Sequence, residues 1–248
     1  MAENEKTGSV HDSGKGMKKK EKSGQMAETW KRLKENKIAY FSAYILIFLA
    51  VVAIFADLIA PYTYSEQNLA NIFQEPSWGH LFGTDQYGRD IFSRVVYGAR
   101  ISLSVGFIAV GVALVVGGIL GSIAGFYGKR VDNIIMRCMD ILLSIPSVLL
   151  ALAIVATFGT SVVNLMIATG ISTVPSYARL VRAAIMSIKD QEFVEAARAV
   201  GTSNAEIIIK HILPNCLAPI LVQATFGVAT AILTVAGLSF VGLGLQPP

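Results

Sequence analysis

The chain has 248 residues, of which 53% are hydrophobic and only 15% are charged. A soluble domain needs about 25% charged residues to cover its surface, so this composition points to the bilayer. The net charge of +4 lies entirely in the first 38 residues, which hold ten Lys/Arg and six Asp/Glu, while the remainder holds eleven of each.

Residues 1–37 form a basic tail rich in Lys, Glu, Gly and Ser, with Lys18, Lys19 and Lys20 in a row. It shows no apolar periodicity before Trp30, so it reads as a largely disordered cytoplasmic tail that fixes topology. A nucleic-acid arm is not expected beside so many apolar runs. The apolar run that follows starts too late and is too long for a cleaved signal peptide, so it is read as an uncleaved first span.

Span 1 is predicted from about Ala39 to Ala60, ending at Pro61. A segment of about 40 residues with several turn formers follows. Span 2 is predicted at Ile101–Tyr127, followed by a short basic connection with Lys129, Arg130 and Arg137. Span 3 is expected at Asp140–Phe158 with Pro146 as a kink. Gly159, Thr160 and Ser161 make a turn into span 4, Val163–Tyr177, where Pro175 is expected to kink the end. A polar stretch then runs from Arg179 to Asn215, and span 5 is predicted at Leu217–Leu238. In hydrocarbon the backbone must satisfy its own hydrogen bonds, and the alternating pattern of a barrel is absent. The fold class is therefore an all-α polytopic membrane bundle with about five spans. With the tail inside, eighteen Lys/Arg fall on the inner side and only Arg89, Arg94 and Arg100 on the outer, which predicts a cytoplasmic N-terminus.

Small residues recur every fourth position in span 2: Ala109, Ala113, Gly117, Gly121 and Gly125. They line one helix face and let a neighbouring backbone approach, as a packing surface, a sliding surface, or both.

No catalytic constellation is visible. Gly128-Lys129 is followed by Arg130 and preceded five positions earlier by Ile123, where a phosphate loop needs Ser/Thr and Gly, so no ATP site is expected in this chain. Cys138 and Cys216 are expected to be free thiols, and His11, His80 and His211 show no ligand spacing, so neither a metal nor a cofactor is expected. Asp57 and Asp140 lie near span ends and are expected to reach the interface.

The segment EFVEAARAVGTSNAEIIIKHILPN, Glu192–Asn215, carries the most information. Helix formers run to Val200, and Gly201 is a natural stop. Ser203 and Glu206 make an S-x-x-E capping box for a second helix, which Pro214 is expected to close. The expected product is a pair of short helices with a sharp glycine corner at the membrane face.

Glu195-Ala196-Ala197, Gly201 and Ile212-Leu213-Pro214-Asn215 resemble the EAA loop of ABC importer permeases. Gly83-Thr84-Asp85, Gly88-Arg89-Asp90 and Ser93-Arg94, followed by Tyr97-Gly98-Ala99-Arg100, resemble the segment before the second span of dipeptide/oligopeptide permeases of the C type. The ending Gly237–Pro248 resembles the same group. The resemblance implies the bundle of type I importer permeases, with residues 38–97 as first span plus extracytoplasmic segment and 98–248 as the permease core. It also implies a second homologous permease, two cytoplasmic ATPase subunits and an extracytoplasmic substrate-binding protein, in a bacterial plasma membrane. Glu195, Ala196, Ala197, Gly201, His211 and Pro214 would dock the ATPase, and the segment Gly83–Arg94 would either contact the binding protein or serve structure alone, with Asp90 and Arg94 paired at i,i+4. The family has a sixth span after QPP, so the chain is expected to be an incomplete copy. Nickel, opine or glutathione permeases share the architecture, and a non-transporting assembly protein is a further alternative. A membrane enzyme would need clustered acids, bases or nucleophiles.

Overall fold

The computed structural model describes residues 35–242. Most of the basic tail and the last six residues of the GLGLQPP ending lie outside the described residues. The chain divides into two units, with the boundary after Ile47. In the first, Asn36 caps helix α1 (Lys37–Ile54), its side-chain oxygen accepting from the amides of Ile38 and Ala39 at 3.1 and 3.2 Å. In the second, α1 ends at Ile54, and one short turn, Ala56–Ile59, precedes Pro61.

Helix α2 (Ile91–Tyr127) is 37 residues long, about 55 Å at 1.5 Å per residue. It begins ten residues before the predicted start. Arg94, Gly98 and Arg100 interrupt the apolar run but not the helix, which Asp90 caps by accepting from the Ser93 amide at 2.7 Å. Gly128 stops it with φ +62.

The predicted span 3 is two helices. Helix α3 (Lys129–Leu143) is amphipathic, α4 (Ser147–Phe158) is apolar, and the two meet at 81°. The bend expected at Pro146 takes the form of a break between two helices: Pro146 stands immediately before α4, in a position that no upstream helical hydrogen bond needs.

Helix α5 (Val162–Met186) continues past Pro175 and nine residues beyond the predicted end. Arg179 and Arg182 therefore sit on a helix rather than in a polar loop. Ser161 caps it, and the Asn164 side chain donates to the Phe158 and Gly159 carbonyls at 2.6 and 3.1 Å, satisfying the end of α4.

Helix α6 (Glu192–Ala199) follows, and then one helical run continues from Asn204 to Phe240. That run contains a π-helical segment (Ile207–Ile212), a 3₁₀ turn (Leu213–Cys216) and α7 (Leu217–Phe240). Pro214 thus does not close a helix, contrary to expectation. The proline occupies the start of the 3₁₀ turn, where its missing N–H is tolerated, and the wide π turns before it absorb the register change. The expected pair of short helices is one short helix joined to the last span.

The core sits between α2 and α5. The small-residue stripe faces α5 along its length: a Cβ on Gly117 would stand 2.7 Å from the Val174 carbonyl oxygen, and one on Gly125 would stand 2.9 Å from that of Arg182. A Cβ on Gly121 would overlap the Ala178 carbonyl oxygen. Gly170 of α5 answers with an equally close approach to Ala109. Backbone contact of this kind supplies dispersion that larger side chains would prevent.

Among the described residues there is no β-strand, only an isolated bridge between Thr84 and Asp90. Three helical runs are long and apolar enough to cross a bilayer, or four if the bent α3–α4 pair counts as one. The fourth expected span, α5, has the length, at 25 residues, but carries more polar side chains and buries much of its surface within the bundle.

Candidate functional site

Two segments carry the sequence motifs, and the fold places them at opposite ends of α2. The first precedes α2. Gly83 and Gly88 turn the chain with φ +74 and +66, and a Cβ at Gly88 would overlap the Asn68 carbonyl oxygen. Thr84 is buried, its hydroxyl donating to the Asn71 carbonyl and accepting from the Gln74 amide at 2.8 Å. The Asp85 carboxylate accepts from the amides of Tyr87 and Arg89 at 2.8 and 3.0 Å, from Arg89 Nε at 2.8 Å, and from Arg94. Burial by itself would raise its pKa, but the Arg89 and Tyr87 amides and the Arg89 guanidinium outweigh that and lower it to about 2.

Asp90 does not pair with Arg94 at i,i+4. Its carboxylate points back to cap α2 and to His80 Nδ1 at 3.0 Å, so Arg94 reaches Asp85 instead. Tyr62 stacks on the His80 ring, and its amide donates to Ser93 Oγ at 3.2 Å. The charged groups of this signature are therefore turned on one another, and they lock the loop to the start of α2. His80 and Tyr62 were not legible as part of it, because their partners are 10 to 31 residues away. The same end of the bundle holds Asp57, which accepts from Arg100 at 2.9 Å and from Tyr97 at 3.0 Å.

The second segment lies beyond the far end of α2. Helix α6 presents Glu195 and Ala196 outward, while Ala197 is half-buried and Val194 is fully buried. Val194 packs with Phe126, Val181, Ile185, Ile207 and Ile212, so residues of α2, α5 and the last helical run meet at one anchor. Helix α6 ends as a Schellman motif: the Gly201 amide donates to the Arg198 carbonyl at 2.9 Å, and the Thr202 amide to Ala197 at 3.1 Å. Gly201 holds φ +86, as that motif requires. Ser203 accepts from the Glu206 amide at 3.4 Å, but the reciprocal half of the capping box is not made. The Glu206 carboxylate takes Lys210 Nζ at 2.6 Å instead. His211 is half-buried and its carbonyl accepts from Asn215; Pro214 is exposed.

Two ion pairs that sequence spacing could not show join α3 to α5. Asp132 receives both arms of Arg182, and Asp140 receives Arg179 at 2.6 Å. The partners lie 50 and 39 residues apart in the sequence, respectively. Among the described residues no group of three or more His, Cys, Asp or Glu is placed to hold a metal, and both cysteines are free, Cys138 exposed and Cys216 buried.

Residues 117–248 match the family described as the binding-protein-dependent transport system inner membrane component. Residues 24–76 match the N-terminal TM domain of oligopeptide transport permease C. A dipeptide transport system permease protein of Alkalihalophilus pseudofirmus is 52% identical over 221 residues, covering 89% of this chain and 73% of the relative. A di/tripeptide transport system permease protein of Pseudomonas aeruginosa is 42% identical, covering 90% of this chain and 76% of the relative. A glutathione transport system permease protein of Escherichia coli is 44% identical, covering 89% and 73%. An inward-facing MetNI methionine ABC transporter structure shares the fold, with a TM-score of 0.54 at 22% identity, over 60% of this chain and 75% of that one. The chain belongs to the family of binding-protein-dependent transport system inner membrane components, with an amino-terminal region of the oligopeptide permease C type.

Proposed function

We propose that this chain is the membrane-spanning permease subunit of an ATP-driven importer of dipeptides or oligopeptides. The observation that carries the reading is the 52% identity to a dipeptide permease over 89% of the chain. In this reading the chain builds part of the translocation path together with a second, homologous permease. Two cytoplasmic ATPase subunits hydrolyse ATP, and an extracytoplasmic binding protein delivers the substrate. Helix α6 is the coupling element. Its outward Glu195 and Ala196 meet an ATPase, and its buried Val194 passes a displacement to α2, α5 and the last span at once. The Gly83–Arg94 lock holds the start of α2 on the binding-protein side.

Glutathione is the second reading of the substrate, supported by the 44% identity to a glutathione permease. The test is reconstitution of the full-length permease with its partner permease, ATPases and binding protein in liposomes. ATP-dependent uptake of a labelled dipeptide is expected. Uptake of glutathione without dipeptide would move the substrate to the second reading, and uptake of neither would sink the proposal.

The proposed orientation has the amino-terminal tail and α6 in the cytoplasm. Single cysteines between Gln67 and Glu75 should react with an impermeant maleimide added outside intact cells. Cysteines at Thr202–Asn204 should react only after permeabilisation. The opposite pattern would overturn both the orientation and the coupling role of α6.

A further inference from the structure

Helix α3 is attached to the bundle in two different ways along its length. From Ile135 onward the attachment is apolar, with Ile135, Met139 and Leu142 packed against Val174 and Ala178 of α5. Of its first six residues only Asp132 is buried. That carboxylate receives Arg182 Nε on one oxygen and Arg182 Nη2 on the other, the second at 2.5 Å. One two-armed ion pair therefore holds the start of α3 to α5. A buried charge pair is a poor source of net stability, because desolvation cancels much of the attraction. What a planar guanidinium on a carboxylate does supply is a fixed distance and a fixed angle.

The corner before α3 does not fix its direction. Gly128 and Lys129 both hold positive φ, +62 and +48, and the lysine angle is one that a side chain disfavours. A Cβ on Gly128 would approach nothing closer than Lys189 Nζ, at 3.8 Å, so nothing packs the corner in place. Arg182 also stands beside the point where α6 meets the bundle. Three residues further along α5, Ile185 packs in the cluster around Val194 of α6. That cluster takes in α2, α5 and the last helical run, but among the described residues it holds none from α3. Helix α4, beyond the 81° bend, is held elsewhere, its Ala151 and Val155 clustered with Leu165 and Ala168 in the amino-terminal half of α5.

We propose that Arg182 is a positioning residue of the transport cycle: its pair with Asp132 makes the start of α3 follow α5 whenever α6 is displaced. The assignment rests on the function proposed above. Motion of α6 reaches α5 through Val194 and Ile185, and α3 has no contact of its own with that cluster. The pair is the rigid link between the two helices on the side nearest α6. The Arg179–Asp140 pair is of another kind. It is single-armed, its side chains are 52% and 46% exposed, and a solvated pair of that sort fixes little. It is the internal control for charge at the same helix boundary.

The test uses the assembled complex in liposomes, with uptake of a labelled dipeptide and binding-protein-stimulated ATP hydrolysis measured together. Arg182→Lys keeps the charge but replaces the planar fork by a single point of contact, and Asp132→Asn keeps one acceptor oxygen. Both should assemble with the partner subunits and keep the thermal midpoint of the unsubstituted complex. The apolar half of α3 is untouched in them, and Arg182 is 31% exposed, so water replaces the lost bonds. Stimulated hydrolysis should persist, because α6 keeps its anchor, while peptide taken up per ATP falls at least about fivefold. Arg179→Lys should change neither quantity. In a Cys138→Ser background, Asp132→Cys combined with Arg182→Cys should show the same deficit. A short bifunctional thiosulfonate joining the two thiols should then bring peptide per ATP back to within about twofold, and reduction should restore the deficit. A pair that serves stability alone would move the midpoint and hydrolysis along with uptake, and the covalent tie would bring no recovery. An unchanged ratio in Arg182→Lys and Asp132→Asn, loss of assembly in every variant, or cross-linking without recovery overturns the positioning role. Uptake by the unsubstituted complex is the separate readout of the function. Its absence overturns that function and this role with it, whereas uptake with unchanged ratios in the variants overturns only this role.

Discussion

Gly121→Leu is expected to abolish the folded bundle, whereas Gly118→Leu, three residues before it on the same helix, should be tolerated. A Cβ at Gly121 would overlap the Ala178 carbonyl oxygen and stand 3.0 Å from Val181 Cβ, and both neighbours belong to α5. Backbone cannot rotate away as a side chain can, so α2 and α5 must separate. Overpacking a tight core costs about 1–3 kcal/mol where side chains can shift, and more where they cannot. Separation at Gly121 also undoes the close approaches at Gly117 and Gly125, because all three lie on one stripe. A Cβ at Gly118 meets nothing within 4 Å. The measurement is the yield of monodisperse permease in mild detergent and its thermal midpoint, before any partner is added. Equal yield and midpoint for the two leucine variants would refute the claim that this stripe holds the chain's own core together.

The stripe was legible in the sequence because every-fourth spacing survives without knowing the partner helix. What could not be read was the partner itself. Both α5 inside the chain and a second permease outside it fit the pattern, and only the fold decides for α5. Span 2 and the last span were readable from hydropathy for the same reason, since a long apolar run has few alternatives in a bilayer. The errors share a cause as well. Arg94, Arg179 and Arg182 fall outside the apolar runs of the predicted spans, yet they lie on helices, and each has a carboxylate partner supplied by another segment. The three prolines have three different outcomes. Pro146 separates two helices, Pro175 leaves its helix intact, and Pro214 sits where π turns give way to a 3₁₀ turn. A proline's local rule is constant, but its outcome depends on whether neighbours or wider turns satisfy the carbonyl it frees. The Gly83–Arg94 motif could be recognised by its residues, while the actual ion pairing, Asp85 with Arg89 and Arg94, could not be derived from i,i+4 spacing alone.

Gly201→Val is expected to uncouple transport from ATP hydrolysis in the proposed importer, and Gly201→Asn to retain most of the coupling. Gly201 is held at φ +86 by the Schellman bonds that end α6, a region β-branched residues avoid and asparagine enters readily. A Cβ there meets nothing within 4 Å, so crowding plays no part and the backbone angle alone is under test. Valine should cost about 1–3 kcal/mol in that conformation, enough to favour a different exit from α6. Val194 stays in the core, so the change falls on the tilt of α6 and on the position of Glu195 and Ala196. Glu195→Lys tests the same surface by charge, since an exposed carboxylate that meets a complementary groove loses its partner on reversal. Both variants should insert and assemble with the second permease, because neither touches the α2–α5 contact. Binding-protein-stimulated ATP hydrolysis and peptide uptake are then measured together in liposomes. Uptake should fall at least about tenfold in Gly201→Val and in Glu195→Lys, with stimulation of the ATPases lost in parallel. Should Gly201→Asn be as inactive as Gly201→Val, the left-handed corner would not be the cause. Full uptake in both Gly201→Val and Glu195→Lys would remove α6 from the coupling path.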